Sequence, residues 1–337
     1  MKAIGFKTSH PISHEESFIE FETPTPTPKG RDLLVKIEAV SVNPVDYKIR
    51  AGSAKGKTLE TPKIIGWDAV GTVESVGDKT ELFKAGDKVY YSGDITRPGT
   101  NAEYQLIDER IVGKRPVNIS LAEAAAMPLT SLTAWEILFD RIRISAEKDK
   151  GKSILIIGGA GGVGSIAIQL AKKVAGLTVI ASASRPETVE WSKKMGADYI
   201  VNHYDLVNEV HKAGFKEVDF ILDFVDVNQY WDAFVELIKP QGRIGSISDP
   251  VKPVNLRQLK SKSVSFHWEL MFTRSMFNTD DMIEQHHIFN TLADLLDDGS
   301  IQSTLTTTLN GFSAENLKKA HAIQETGKAI GKTVIVY

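Results

Sequence analysis

Ser153 to Gln169 reads SILIIGGAGGVGSIAIQ: branched apolar residues from Ile154 to Ile157 run into a glycine cluster, and a segment with helical spacing follows at once. Gly159, Gly161 and Gly164 have G-x-G-x-x-G spacing. Strand, tight turn and helix in that order suit a dinucleotide pyrophosphate. The first glycine allows the turn, the second lets backbone approach the pyrophosphate, and the third lets helix pack close to strand. Unpaired N–H groups and the helix dipole then face the anion. The same spacing alone also occurs in flexible loops; here the flanking strand and helix carry the reading. Gly158, Gly162 and Val163 complete the candidate phosphate turn, and Val163, Ile166, Ala167 and Leu170 share one apolar helix face.

Downstream, strand-like runs recur at Thr178 to Ala181, Tyr199 to Val201, Val218 to Leu222, Arg243 to Ile247 and Val264 to Phe266, with helical candidates between most of them. About six strands with crossovers predict a doubly wound α/β fold with a parallel sheet. The helical period begins near Ala122. Ala122 to Met127 and Leu132 to Phe139 read as helices separated by Pro128, so a domain boundary is expected near Leu121.

Before that boundary the chain reads as short strands with glycines at the turns: Ala3 to Phe6, Phe18 to Phe21, Leu33 to Val42, Ala69 to Val76, Val89 to Tyr91 and Ala102 to Leu106. That pattern predicts a β-barrel-like domain. Thr23 to Pro28 alternates threonine and proline, a pattern for extended backbone. It suits an interdomain linker or a ligand for a proline-binding module, but strand patterns on both sides favour a stiff connection within one domain. Asn43 to Gly52 is a polar insertion of helical character. The tail predicts a helix from Asp280 to Asp298, a strand from Ser303 to Thr308, a helix from Ala314 to Glu325 and a strand from Thr333 to Val336. Periodicity leaves two homes for that last strand, the nucleotide sheet or the N-terminal domain.

At 337 residues the chain can bury two cores. A net charge of −3 and a pI near 6.3 give no footprint for nucleic acid. The absence of cysteine excludes disulfides, thiol nucleophiles, iron–sulfur clusters and thiolate-bound zinc. The N-terminal stretch has no signal-peptide apolar core and no run is long enough for a membrane span, so a cytoplasmic protein without membrane partners is expected.

NAD-dependent folds place a carboxylate about 20 residues past the glycines, on the ribose 2′-hydroxyl. Here the second strand ends Ala181-Ser182-Ala183-Ser184-Arg185, without one. Ser182 and Ser184 leave room for a 2′-phosphate, and Arg185 can fork to it. Arg185 also reads as a solvated arginine before a helix, and Glu187 as an acid favoured there by the helix dipole. NADPH is the expected cofactor, with His203, at a neighbouring strand end, as a further contact.

Several stretches in order resemble the zinc-independent quinone oxidoreductase branch of the medium-chain dehydrogenase/reductase superfamily: Asn43-Pro44-Val45-Asp46, Ile65 to Gly71, Gly86-Asp87-Lys88-Val89, Ala102-Glu103-Tyr104, Ala124 to Pro128, the Gly159 to Gly164 turn and Gly331-Lys332. The resemblance implies a GroES-like β-barrel catalytic domain from residues 1–121 and 267–337. A Rossmann domain at 122–266 would be inserted between, with the active site in the cleft, the last strand back in the first domain, and a homodimer. It departs from the zinc enzymes, which have cysteine at Asn43, Gly-His-Glu at Gly66-Trp67-Asp68, and a four-cysteine loop near 92–103.

Without a metal site, the expected reaction is hydride delivery from NADPH to a quinone or an α,β-unsaturated carbonyl, whose conjugation already makes it electrophilic. Lys48 and Tyr47 are the candidate donors to the carbonyl oxygen; an exposed helix lysine and a packing tyrosine are the plainer alternatives. Asn43 and Asp46 are expected to orient the turn and bind the nicotinamide amide or ribose. The resemblance puts Thr130 at the nicotinamide ring and Lys332 near the pyrophosphate. Phe224-Val225 and Ser246-Ile247-Ser248 follow sheet strands at the carboxyl ends, where ligands bind in such folds. Trp67, Tyr91, His267, Trp268, Phe272 and Phe277 are candidate walls of a flat apolar slot, against the commoner core role of aromatics. An enoyl-thioester reductase and a low-activity NADPH-binding scaffold or nucleic-acid-binding protein are the alternatives.

Overall fold

The computed structural model describes residues 1–337 and divides into two compact units, Met1–Leu132 with Phe272–Tyr337, and Thr133–Met271. The divisions fall eleven and five residues beyond the expected bounds at 121 and 266.

The second unit is built on six parallel strands in the spatial order Tyr199–Val201, Thr178–Ser182, Ser153–Ile157, Val218–Asp223, Ile238–Ser246 and Ser265–Trp268. Numbered by appearance this is 3-2-1-4-5-6, the doubly wound order. Every residue of Ser153–Ile157 is buried, as a central parallel strand covered on both faces requires. The helix Val227–Leu237 turns Val227, Tyr230, Trp231, Phe234 and Leu237 inward, and the Asp226 side chain caps it by accepting from the backbone N–H of Asn228 and Gln229.

Strand five starts earlier than Arg243. Ile238 pairs with Val218 and Arg243 with Phe220, so residues 239–242 loop out between two paired positions. Pro240 and Gly242 interrupt the apolar pattern there, which is why sequence periodicity recognises the strand only after the bulge. Pro128 opens a helix where it was expected only to separate two. Leu121–Ala125 ends before it, and Pro128–Trp135 starts on it and continues as π-helix over Glu136–Arg141. Proline at a first helical position forfeits no intrahelical bond.

In the first unit, seven strands form one sheet. Leu305–Asn310, Lys332–Val336, Asp32–Ser41, Asp68–Val76, Lys88–Tyr91 and Val112–Lys114 are neighbours in that order, and Tyr104–Asp108 also pairs with Asp32–Ser41. Val334 pairs with Ser41 and Ile335 with Val40, so the C-terminal strand returns to the N-terminal domain. A smaller sheet joins Ile19–Glu22, Lys2–Phe6 and Lys63–Ile64. The proline run at 23–28 connects strands of these two sheets within one unit. Ala314–Glu325 is helical as expected, whereas the expected 280–298 helix spans only Glu284–Asp297. A separate short helix, Thr273–Phe277, precedes it and ends on Asn278 at φ +46°.

Candidate functional site

The glycines of the phosphate turn have separable tasks. Gly158, just before the G-x-G-x-x-G, has φ +83° and makes the reversal out of strand Ser153–Ile157. A Cβ on Gly159 would come within 2.9 Å of the Ala181 Cβ, and one on Gly164 would overlap the Gly158 carbonyl oxygen. These two let strand, turn and helix close on one another. Gly161 differs: a Cβ there would meet only the Gly158 oxygen, at 3.5 Å. It caps the helix Gly162–Gln169 at φ −71°, a conformation any residue adopts. Neither packing nor backbone demands glycine at 161, which leaves the outer side, where a pyrophosphate would approach. The cradle therefore fits a dinucleotide.

At the next strand end the Ser182 hydroxyl accepts from Gly158 N at 3.0 Å, so this serine braces the turn. Arg185 Nε lies 3.4 Å from Glu187 Oε1, and its backbone N–H and C=O are bonded by the Thr188 hydroxyl. Ser182 and Val201 are paired in register, which brings Ser184, Arg185 and His203 to adjoining strand ends. Burial lowers the His203 pKa, and its ring lies 4.4 Å from that of Tyr204.

The loops after strands four and five also converge. Gly158 lacks the Cβ that would meet Val225 Cγ2 at 2.7 Å, and Val225 itself is half exposed. Phe224 N donates to Ile157 O, and Ile247 N to Asp223 O. Ser246 and Ser248 are buried, with both hydroxyls on the Asp223 carboxylate. Asp223 had no signal in the sequence beyond closing an apolar strand.

In the first unit a buried polar cluster occupies the Asn43 to Asp46 turn. Asp68 Oδ1 accepts from Leu129 N at 2.7 Å, and Asp68 Oδ2 accepts from the Ser41 hydroxyl, Asn43 Nδ2 and Lys332 Nζ at 2.5, 2.7 and 3.3 Å. Lys332 Nζ also donates to Val42 O and Asn43 Oδ1. Burial lowers the Lys332 pKa, opposed by Asp68 and Asp46. Burial also raises Asp46 to about 7, opposed by its bond from Asn43 N.

These positions correct several expectations. Lys332 is not a basic group offered to a pyrophosphate; its ammonium is enclosed among acceptors of its own unit. Asn43 and Asp46 are wholly buried, so they hold the turn and their side chains are closed to a ligand. Thr130 is buried and donates to Met127 O one helical turn back. Trp67, Tyr91 and Phe272 are core. The Trp67 indole donates to Asp94 O, and the Phe272 ring meets it edge-on at 6.1 Å. His267 and Trp268 lie on edge strand Ser265–Trp268 of the other unit, and Phe277 is exposed on a short helix of the first. Of the six aromatics, Trp67, Tyr91 and Phe272 are thus buried within the first unit. On the helix Pro44–Ser53, Asp46 and Arg50 face inward, Lys48 is exposed and Tyr47 half-buried.

The zinc-site positions hold an amide, an indole and a carboxylate, with a lysine ammonium already on the amide and the carboxylate. Zinc takes thiolate, imidazole and carboxylate ligands. This donor set does not fit it, and no three His, Asp or Glu side chains elsewhere cluster suitably for a metal. No helix is long and apolar enough to cross a membrane.

Residues 29–129 match the model of the alcohol dehydrogenase GroES-like domain, and residues 162–294 that of the zinc-binding dehydrogenase family. A zinc-type alcohol dehydrogenase-like protein of Staphylococcus epidermidis is 44% identical over 99% of both chains. An NADPH-dependent alkenal/one oxidoreductase of Arabidopsis thaliana is 34% identical over 71% of this chain and 61% of its own. A crystal structure from Rhizobium etli, described provisionally as a zinc-dependent alcohol dehydrogenase, superposes with a TM-score of 0.94 at 47% identity, covering 100% of this chain and 98% of that one.

Proposed function

The chain belongs to the medium-chain dehydrogenase/reductase superfamily, and from that premise we propose that it is a zinc-independent, NADPH-dependent oxidoreductase that reduces quinones or α,β-unsaturated carbonyls. The observation that carries this reading is the pairing of an open phosphate cradle at Gly161 with a second strand that ends at Ser182 and is followed by Arg185, with no carboxylate between. The Arabidopsis relative, named for NADPH and for alkenals and enones, supports the same cofactor and acceptor class.

NADPH, when bound, supplies the hydride. The chain's residues bind and orient it. The turn from Gly158 to Val163 would offer backbone N–H groups to the pyrophosphate, while Ser184, Arg185 and His203 would hold the 2′-phosphate. Phe224, Val225 and the Ser246 to Ser248 loop would face the nicotinamide half. A conjugated acceptor requires only stabilisation of charge growing on its carbonyl oxygen, a task for one hydrogen-bond donor. Exposed Lys48, with Tyr47 beside it, is assigned that role. The lysine-filled Asn43–Asp68 cluster supplies no Lewis acid, which favours acceptors activated by conjugation over simple alcohols.

The test is NADPH oxidation followed by absorbance with quinones, enals and enoyl-thioesters in parallel, against NADH. Turnover of enals or quinones with NADPH is expected. Oxidation only with enoyl-thioesters would redirect the assignment, and tight NADPH binding without turnover of any acceptor would make the protein a cofactor-binding scaffold.

A further inference from the structure

Asp223 ends strand Val218–Asp223 and is wholly buried, paired in register with Ile157 on one side and Ser246 on the other. Its carboxylate has four donors. Oδ1 accepts from Val225 N at 3.0 Å and Asp226 N at 3.1 Å; Oδ2 accepts from the Ser246 and Ser248 hydroxyls at 2.8 and 2.6 Å. The serines relay the hold. Ser248 Oγ accepts from Val227 N at 2.9 Å, and Ser246 Oγ from Ser248 N at 3.1 Å.

One side chain thus fixes two loops, 224–227 and 246–248, and the start of helix Val227–Leu237. It also fixes a third element indirectly, because Val225 packs where a Gly158 side chain would otherwise stand. A carboxylate suits the place because it only accepts, and everything around it donates. A hydrogen bond to a charged acceptor is about twice as strong as a neutral one, which holds irregular loops in one geometry.

We infer that Asp223 is a positioning residue for the cofactor: acting through the Val225 and Asp226 amides and the Ser246 and Ser248 hydroxyls, it sets the shape of the surface that receives the nicotinamide half. This rests on the reading of the sheet's carboxyl edge as the NADPH site, and extends it to a residue closed to ligand. Its energetic role differs from a purely structural one, because loosening these loops costs affinity for the cofactor and not for the acceptor.

The experiment is a fluorescence titration of the full chain with NADPH, with steady-state kinetics on an enal alongside. Asp223→Ala is expected to raise the NADPH dissociation constant and KM by ~10-fold or more, with the acceptor KM within about twofold of the parent. Asp223→Asn keeps the shape but offers donors to donors, and is expected to fall between. Ser248→Ala cuts one arm and is expected to cost about threefold. Folded variants, checked by circular dichroism, that bind NADPH as the parent does would overturn the inference. So would a lowered kcat with both KM values unchanged. If Asp223→Ala fails to fold, Ser246→Ala and Ser248→Ala decide, and parental affinity in both overturns it. A parent protein that does not bind NADPH sinks the site reading and the inference together, a result distinct from a binding parent with unaffected variants.

Discussion

Lys332 Nζ donates to Asn43 Oδ1 at 2.5 Å, joining the C-terminal strand to the residue that starts the helix Pro44–Ser53. The two are 289 residues apart in sequence. With Asp68 as a shared acceptor, this lysine binds the tail, the turn and, through Leu129 N, the start of the helix Pro128–Trp135. The ammonium thus ties distant segments of the chain to one buried point, with Val42 O, Asn43 Oδ1 and Asp68 Oδ2 as its acceptors.

Removing that ammonium leaves the Asp68 carboxylate, Asn43 Oδ1 and Val42 O short of a donor. Lys332→Met is expected to cost about 3–5 kcal/mol in urea unfolding, the usual effect of breaking a buried ion pair from one side. Lys332→Met with Asp68→Asn is expected to recover part of that loss, since no uncompensated charge then remains. A single variant as stable as the parent would show that the lysine is dispensable.

Asp46 gives a pH signature. Its folded pKa is raised from 3.8 to about 7, chiefly by burial. The folded state therefore holds a proton that the unfolded state releases, and this contribution to stability is lost as pH rises from about 4 through about 7. Its slope approaches ~1.4 kcal/mol per pH unit. His321, lowered from 6.5 to about 3 by burial, acts in the opposite direction at acid pH, where it destabilises the fold. The difference between the parent and Asp46→Asn stability curves isolates Asp46. The neutral variant is expected to gain on the parent as pH rises, and parallel curves would exclude the effect.

The parallel sheet was legible because buried parallel strands need continuous apolar runs: Ile154 to Ile157 announces itself, and so does the glycine turn after it. The return of Thr333 to Val336 to the first unit was not legible from pattern, because an apolar strand does not say which sheet it joins; only the resemblance supplied it. The site was less legible than the fold. Lys332 reads as a basic group near the pyrophosphate until Asn43 and Asp68 are seen around it. Asp223 and Asp68 read as ordinary acids, since the hydroxyls and amides that fill their lone pairs come from distant residues. Trp67 and Tyr91 misled for the same reason: composition shows an aromatic ring but not whether it faces a ligand or the core.

Arg185 tests cofactor choice. The guanidinium is partly exposed and has Glu187 for company at 3.4 Å, so a 2′-phosphate competes with a weak surface pair. Arg185→Ala is expected to weaken NADPH by ~10-fold or more, about 1.4 kcal/mol, and NADH by less than about twofold. Equal losses for the two cofactors would remove the phosphate role from this arginine.

Arg141 tests a different burial. Its guanidinium bonds Glu269 Oε2 at 2.7 Å and Glu136 Oε2 at 3.0 Å, and both carboxyls are fully buried. Burial and, after it, the Glu136 charge raise the Glu269 pKa, opposed by Arg141, so the pair favours holding a proton. Arg141→Met is expected to cost about 3–5 kcal/mol. Glu269→Gln, which imitates the protonated form, is expected to lose little at neutral pH. Because the raised pKa makes the parent shed stability as pH climbs above the ordinary carboxylate range, this variant is also expected to decline less than the parent as pH rises. A Glu269→Gln curve parallel to the parent's would contradict the shared proton.

The glycine turn offers a separation of folding from binding inside one motif. A methyl group on Gly164 meets the Gly158 carbonyl, which is backbone and cannot swing aside, so Gly164→Ala is expected to destabilise the chain by about 1–3 kcal/mol. A methyl group on Gly161 meets nothing nearer than 3.5 Å and the backbone there accepts alanine, so Gly161→Ala is expected to unfold within about 0.5 kcal/mol of the parent. It nonetheless projects from the cap residue of the helix Gly162–Gln169, where a pyrophosphate must come close. Calorimetric titration with NADPH is therefore expected to show ~10-fold or greater loss for Gly161→Ala at nearly unchanged thermal midpoint. Parental affinity in that variant would mean that the phosphates do not pass over Gly161, and that the glycine serves neither packing nor the cofactor.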